Sequence, residues 1–429
     1  MNVRRVQDLS PDERAAVFER DAGIDEIRDD ARAVVERVRD EGDVALREFT
    51  EEFDGVSVGN LDVTDRMAGA YESIDEDVRT AIERAAENIR TFHERQVPDD
   101  WRADFGGREL GRRFEPIERV GVYVPGGTAA YPSSALMGIV PAVVAGVDHV
   151  AVATPPAEDL NPATMAAIHA AGADAVYQVG GAQAIAGLAY GTETIGAVEK
   201  IVGPGGRFVT AAKAEVRGTV EIDFFAGPSE VLVVADETAD PDIVAADLIA
   251  QAEHDPNASV VAVTPDSETA GAIAERVEKR VPDRERADII REALADDASG
   301  VFEARSMSEA VLFAEEYAAE HLSIQAADTD AILDRIPSAG SVFLGPYSPV
   351  AAGDYAAGTN HVLPTGGQAR VTGGLSVDTF LRSTTVQHLS EDALGELRET
   401  ITTLADAEGL EAHAHSVEAR FKDESAGGR

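Results

Sequence analysis

The residues of this chain that can bind a metal or move a proton gather in a few short polar stretches. Gln251 and His254 close an apolar, helix-like run, DIVAADLIAQAEH. Positions three apart share a helix face, so the Gln251 carbonyl oxygen and the His254 ring can converge on one ion. Zn²⁺ accepts both donor types at about 2.0–2.2 Å. A histidine at a helix C-terminus is equally at home without any metal, through the helix dipole. Glu320 and His321 set a carboxylate beside an imidazole, between a long helix-like run and the strand-like LSIQ. Both groups can be tuned toward working pH and suit proton transfer, although an exposed helix end would account for them too. The stretch 352–364 holds Asp354 and His361 with few large apolar residues, so it is no core element. An irregular segment of that length in a compact domain is read as functional. Glu408 and His413 lie on a charged C-terminal run that also fits a solvated helix face.

Composition narrows the chemistry. Cysteine is absent from all 429 residues, which excludes disulfides, thiolate ligands and a catalytic thiol. A zinc centre here must use His, carboxylate and amide donors with an open position for substrate. An aldehyde oxidation would go through added water, with Glu or His as base, and not through a thioester. The 37 Lys and Arg face 79 Asp and Glu, a net charge of −42. The acids are spread between periodic apolar segments, unlike a disordered chain or an acidic tail. Such a surface repels phosphate backbones, so nucleic acid is not an expected partner. It suits molar salt, where a Debye length of about 3 Å screens self-repulsion, and a halophilic source is expected. No apolar run approaches the roughly 20 residues of a membrane span. The N-terminus lacks an apolar signal core, so a cytoplasmic protein is expected.

The elements that must position these residues follow from periodicity. Residues 1–115 read as an N-terminal helical region, with Val78, Ile82, Ala85 and Ile89 at helical spacing in 73–96. The texture then changes to short β-rich runs ending in Pro/Gly turns: VGVYVP (120–125), HVAVATPP (149–156), AVYQVGG (175–181) and KIVGPGG (200–206). Ala-rich helical stretches separate them, the pattern of parallel β/α units. It restarts with EVLVVAD (230–236), ASVVAVTP (258–265), LSIQ (322–325) and SVFLG (341–345). The expected fold is α/β: two similar incomplete Rossmann-like parallel-sheet domains, 116–229 and 230–375, between the helical region 1–115 and a C-terminal helical arm, 376–429. That arm is too thin for a core of its own and is expected to reach a partner subunit. No GxGxxG motif follows a strand. Pro-Gly-Gly and Gly-Gly turns stand at strand ends instead, where exposed N–H groups and a following helix can hold phosphate; tight turns alone would also explain them.

Taken together, the ordered blocks VGVYVPGGTAAYPSSALM (120–137), VGGAQAIAGLAYGTE (179–193), AGPSEVLVVAD (226–236), DLIAQAEHD (247–255), EHLSIQ (320–325), the run 338–365 and GLSVDTFLR (374–382) closely resemble the histidinol dehydrogenase family over nearly the whole chain. The resemblance implies a zinc-dependent, NAD-linked, four-electron oxidation of L-histidinol to L-histidine through bound L-histidinaldehyde, the last step of histidine biosynthesis. It implies one zinc per subunit on Gln251, His254, Asp354 and His413, the last offered by the partner in a homodimer. Substrate would touch Ser229, Gln251, His254, His321, Asp354, His361, Glu408 and His413. Glu320 and His321 would be the proton acceptors, and Tyr123 and Gln183 the dinucleotide contacts. The chain departs from the family in having Gly206 where Asn usually follows the Gly-Pro-Gly turn, and Ala319 where Pro commonly precedes the Glu-His pair. The first departure bears on NAD against NADP choice, the second on loop stiffness. The alternatives are a related zinc and NAD dehydrogenase of another small amino or hydroxy alcohol, a zinc hydrolase in which Glu320 activates water, and a non-catalytic binding protein.

Overall fold

A computed structural model describes residues 1–20, 23–126, 130–157 and 160–421. The chain forms two compact units, Met1–Val97 with Pro116–Phe380, and Pro98–Glu115 with Leu381–Arg429. Strands are numbered along the chain.

The first unit is built on two parallel sheets. One joins β4 (Arg119–Tyr123), β5 (His149–Thr154), β6 (Ala175–Gln178), β7 (Lys200–Val202) and β8 (Glu221–Ile222) in the order β6-β5-β4-β7-β8. The other joins β9 (Glu230–Ala235), β10 (Ser259–Thr264), β11 (Gly300–Glu303), β12 (His321–Gln325) and β13 (Ser341–Leu344) in the order β11-β10-β9-β12-β13. Each is the 3-2-1-4-5 arrangement of a doubly wound sheet that stops short of a sixth strand. The second sheet gains β1 (Val3–Arg5) alongside β11. The expected pair of incomplete Rossmann-like sheets is therefore present. The central strands are buried on both faces, every residue of β9 and β10 included, and so they read as unbroken apolar runs.

Helices cover both faces. Helix Arg28–Glu41 packs on helices Gly181–Tyr190 and Arg207–Val216 of the first sheet, while Glu76–Glu94 lies against Pro132–Ala145 and Pro162–Ala171. Pro241–Ala252 follows β9 and starts on a cap, the Asp240 side chain accepting the Asp242 N–H with Pro241 at the first helical position. It runs antiparallel to the strands, so its last turn returns to their amino ends, which decides where Gln251 falls.

The reading of 1–115 as helical needs correction. The helices there end at Glu94, β1 opens the chain, and β2 (Trp101–Asp104) and β3 (Arg108–Pro116) close the region. The reading of 376 onward needs the same correction, because β14 (Leu381–Leu389) precedes the helices. In the second unit β2, β3 and β14 form one sheet in the order β14-β3-β2, with β2 and β3 antiparallel. Their turn is held by Asp104 Oδ1, which accepts the Gly106 N–H at 3.0 Å. Helices Glu391–Ala407 and Glu411–Glu418 pack on each other, with Arg398 paired to Glu418. β2 is exposed at every position and β14 has no buried residue. No alternation of apolar and polar residues marks them, and that is the signal by which a strand is recognised. No helix among the described residues is long and apolar enough to cross a membrane.

Candidate active site

The polar cluster forms at the amino ends of β9 and β12, the neighbouring strands where the strand order reverses. Helix Met307–Tyr317 ends on Ala318 in the left-handed region, φ 50°, the one non-glycine residue with positive φ among those described. That turn costs about 1–2 kcal/mol and swings Glu320 and His321 into the start of β12, where both are buried. They are not the exposed helix end that the sequence also allowed. Glu320 Oε2 accepts the backbone N–H of Glu230 at 2.7 Å. His321 Nδ1 lies 2.9 Å from the Glu230 carbonyl oxygen, so Nδ1 carries the proton and donates it. Nε2 is thereby the basic atom. It is buried, with no hydrogen-bond partner among the described residues, and Asp354 Oδ1 stands 3.5 Å away.

Asp354 closes the short helix Val350–Tyr355, whose Val350 shares an apolar cluster with Leu248, Ile249 and Ala252 of helix Pro241–Ala252. His361 Nδ1 donates to the Asp354 carbonyl at 2.9 Å, and the Ser134 hydroxyl reaches Nε2 at 3.3 Å. Burial raises the Asp354 carboxyl, but His321, His361 and His254 outweigh it and hold the pKa below its ordinary value. Burial alone would lower His321, yet Glu320 and Asp354 together lift it well above the usual imidazole range. Burial lowers His361.

Gln251 is 2% exposed and its Nε2 has no partner among the described residues. Half a turn of the amide presents the oxygen instead. His254 is exposed just beyond the helix and within electrostatic reach of Asp354. Among the described residues no three His, Cys, Asp or Glu side chains stand ready as a metal cluster. The donor set of amide, imidazole and buried carboxylate, with an unsatisfied polar atom on Gln251, does fit a borderline cation such as Zn²⁺. Ser229 immediately precedes β9 and is partly buried. Glu408 and His413 are exposed residues of the second unit, one at the end of helix Glu391–Ala407 and the other within Glu411–Glu418.

The other sheet offers its carboxyl ends. Tyr123, the last residue of β4, is buried, which pushes its phenol up to about 12, and its oxygen accepts the Gly181 N–H at 3.2 Å. Gln183, in the first turn of helix Gly181–Tyr190, is 1% exposed with Oε1 unpartnered among the described residues. Gly203 has φ 110°, and a Cβ there would stand 2.2 Å from the Tyr123 carbonyl oxygen. Buried Lys213 donates to the Gly203 carbonyl at 2.6 Å and pairs with Asp223, which accepts the Gly203 N–H. Helices Gly181–Tyr190 and Arg207–Val216 both begin without a side chain on the N-cap to accept their N–H groups, and apart from the Gly181 N–H held by Tyr123 such a start suits an anion. A side chain at Gly206 would meet nothing within 4 Å, so packing does not demand glycine there. Residues 127–129, inside the 120–137 block, fall outside those described.

The histidinol dehydrogenase family model matches residues 18–421. The chain belongs to the histidinol dehydrogenase family. The histidinol dehydrogenase of Haloarcula marismortui is 74% identical over 422 residues, covering 98% of this chain and 100% of that protein. That of Natronomonas pharaonis is 72% identical over 421 residues, with the same coverage. Both are halophilic archaea, in keeping with the salt-adapted surface expected from the charge balance. The crystal structure of histidinol dehydrogenase from Elizabethkingia anophelis superposes with a TM-score of 0.92 at 36% identity, over 98% of this chain and 97% of that one.

For a member of this family the sequence reading left two site features unremarked. One is the backbone of Glu230, an acid opening an otherwise apolar strand. The other is Asp247, one turn before Gln251, buried with Oδ2 unpartnered among the described residues. Burial pushes the Asp247 carboxyl up to about 6, from an ordinary 3.8. Folding thus favours its protonated form: that stabilisation is complete below about pH 4 and is lost as pH rises through about 6. Asp247→Asn, neutral at every pH, should therefore stabilise the protein at pH 8 by on the order of 1–3 kcal/mol and give no gain at pH 4. Calorimetry in chelator at the two pH values checks this. No gain at pH 8 would mean that the carboxylate has a charge partner in solution.

Proposed function

We propose that this chain oxidises L-histidinol to L-histidine in two successive NAD-linked steps at a single zinc centre, the closing reaction of histidine biosynthesis. One observation carries the reading. Glu320 and His321 meet Asp354 and His361, from a second and distant stretch, in one largely buried cluster whose basic nitrogen is unpartnered among the described residues. The name shared by its relatives supplies the substrate class.

Gln251, His254 and Asp354 would hold the zinc, with His413 reaching in from the second subunit of a homodimer. When bound, the ion supplies a template for the substrate's imidazole and amine, and the nicotinamide accepts the hydride. Ser229, His361 and Glu408 bind and orient the rest of histidinol. His361 has its Nδ1 proton committed to the Asp354 carbonyl, so it offers Nε2 as an acceptor. His321 Nε2 takes the alcohol proton as hydride leaves carbon in the first oxidation. With Asp354 committed to a cation, its carboxylate would pull less strongly on the His321 imidazole. Glu320, tethered through Oε2, takes the proton of the water that adds to the aldehyde, and the hydrate then loses the second hydride to give the carboxylate. General-base help of this kind contributes about 10²–10⁴-fold. Tyr123, Gln183 and the two uncapped helix starts form the edge along which the dinucleotide would lie. A cytoplasmic location accords with such a biosynthetic role.

The test is NADH formation from L-histidinol in molar salt. Two NADH per histidinol are expected, with activity lost in chelator and restored by Zn²⁺. Turnover indifferent to chelator would overturn the zinc reading, and an absence of NADH would overturn the oxidation.

A further inference from the structure

Glu230 has no part in the chemistry above, yet its backbone touches both proton acceptors. Its N–H donates to Glu320 Oε2 at 2.7 Å, and its carbonyl accepts from His321 Nδ1 at 2.9 Å. Any shift of residue 230 along the β9 axis therefore moves both. The side chain is what pins it. The carboxylate pairs with Arg20 Nε at 2.9 Å, the two side chains being 3% and 8% exposed, and it accepts the Gly366 N–H at 2.7 Å. Arg20 donates onward to the carbonyls of Val17, at 3.0 Å, and Tyr317, at 2.7 Å, with its guanidinium 3.5 Å from the Tyr317 ring centroid. Tyr317 immediately precedes the left-handed Ala318 turn that delivers Glu320 and His321. Gly366 follows the loop that carries His361, and its neighbour Thr365 accepts the Gly227 N–H at 2.6 Å, beside Ser229. One buried ion pair thus ties together the start of β9, the start of β12 and the end of the His361 loop.

Stability alone is a weak reason for such a pair. Desolvating two charges is costly enough that well-packed apolar residues often serve a core as well or better. Glu230 Oε2, moreover, has no partner among the described residues. What the pair does provide is a fixed origin for two hydrogen bonds that aim a base and a carboxylate. We propose that Glu230 and Arg20 are a positioning pair that holds Glu320 and His321 in register for proton transfer, a role that rests on the reading of those two as the proton acceptors.

Glu230→Gln keeps the shape and both backbone contacts but removes the charge. In the zinc-loaded enzyme it is expected to lower kcat by about tenfold or more while KM for histidinol and zinc content stay within about threefold. The solvent deuterium isotope effect on kcat should rise as proton transfer becomes limiting. Arg20→Lys, which keeps the cation, should recover part of the loss produced by Arg20→Gln. A kcat for Glu230→Gln within about threefold of the parent would overturn the proposal. So would a joint fall of kcat, KM performance and zinc content with an unchanged isotope effect, the mark of a merely structural role. If Glu230→Gln does not fold, Arg20→Lys against Arg20→Gln carries the same comparison with the same outcomes. Glu320→Gln and His321→Ala are measured alongside. If both turn over normally, the assignment of the acceptors fails and takes this proposal with it. If both are inactive while Glu230→Gln is not, only the positioning pair fails.

Discussion

His321→Ala is expected to cut histidinol turnover by about a thousandfold while leaving bound zinc unchanged. The imidazole is buried against two carboxylates and anchored by Nδ1, and its Nε2 has no hydrogen-bond partner among the described residues, which leaves that atom as the proposed proton acceptor of the first oxidation. It is not in the proposed ligand set, so metal content and activity should part company. Deleting the ring also removes the largest influence holding the Asp354 carboxyl below its ordinary pKa, and that carboxyl should move upward in the variant. Kinetics with zinc quantified on the same preparation decide the matter. Near-normal turnover would remove His321 from the mechanism.

Asp354→Ala should instead lose metal and turnover together. Its carboxylate faces His321 and lies within reach of His254 and His361. His361 is bonded to the backbone carbonyl of residue 354, not to its side chain, and so should keep its place. Zinc affinity is expected to fall by about two orders of magnitude or more, read by competition against a chromogenic chelator. Undiminished affinity would mean that the ion is held elsewhere. His321 in this variant loses one of the two carboxylates that raise it, and burial should pull its pKa down. The contrast between the two variants separates a proton acceptor from a metal ligand.

The two parallel sheets were legible because their central strands are buried on both faces, as in EVLVVA and SVVAVT. β1 and β11 are only three and four residues long. β2, Trp-Arg-Ala-Asp, is solvent-exposed, and β14 has no buried residue and holds Arg, Ser and two Thr, so neither apolar runs nor alternation betray them. Of the site, Glu320, His321, Asp354 and His361 were each visible as polar residues in unusual places, and the fold brings them together. Which sheet edge they occupy was not visible. It follows from helix Pro241–Ala252 running back along β9, so that the cluster sits at the amino ends of one sheet while Tyr123 and Gly203 sit at the carboxyl ends of the other. Arg20 gave no signal at all: it is 210 residues from Glu230, and only the folded chain pairs the two. Gly206 remains the clearest local departure, and a side chain there would meet nothing within 4 Å.

Anomalous scattering at the zinc edge, from crystals grown with zinc and histidinol, tests the central claim most directly. One peak per subunit is expected within ligand distance of Gln251, His254 and Asp354, completed by the partner subunit's His413 and by substrate donors. A peak remote from Gln251 and Asp354, in a protein that still reduces NAD with histidinol, would contradict the account.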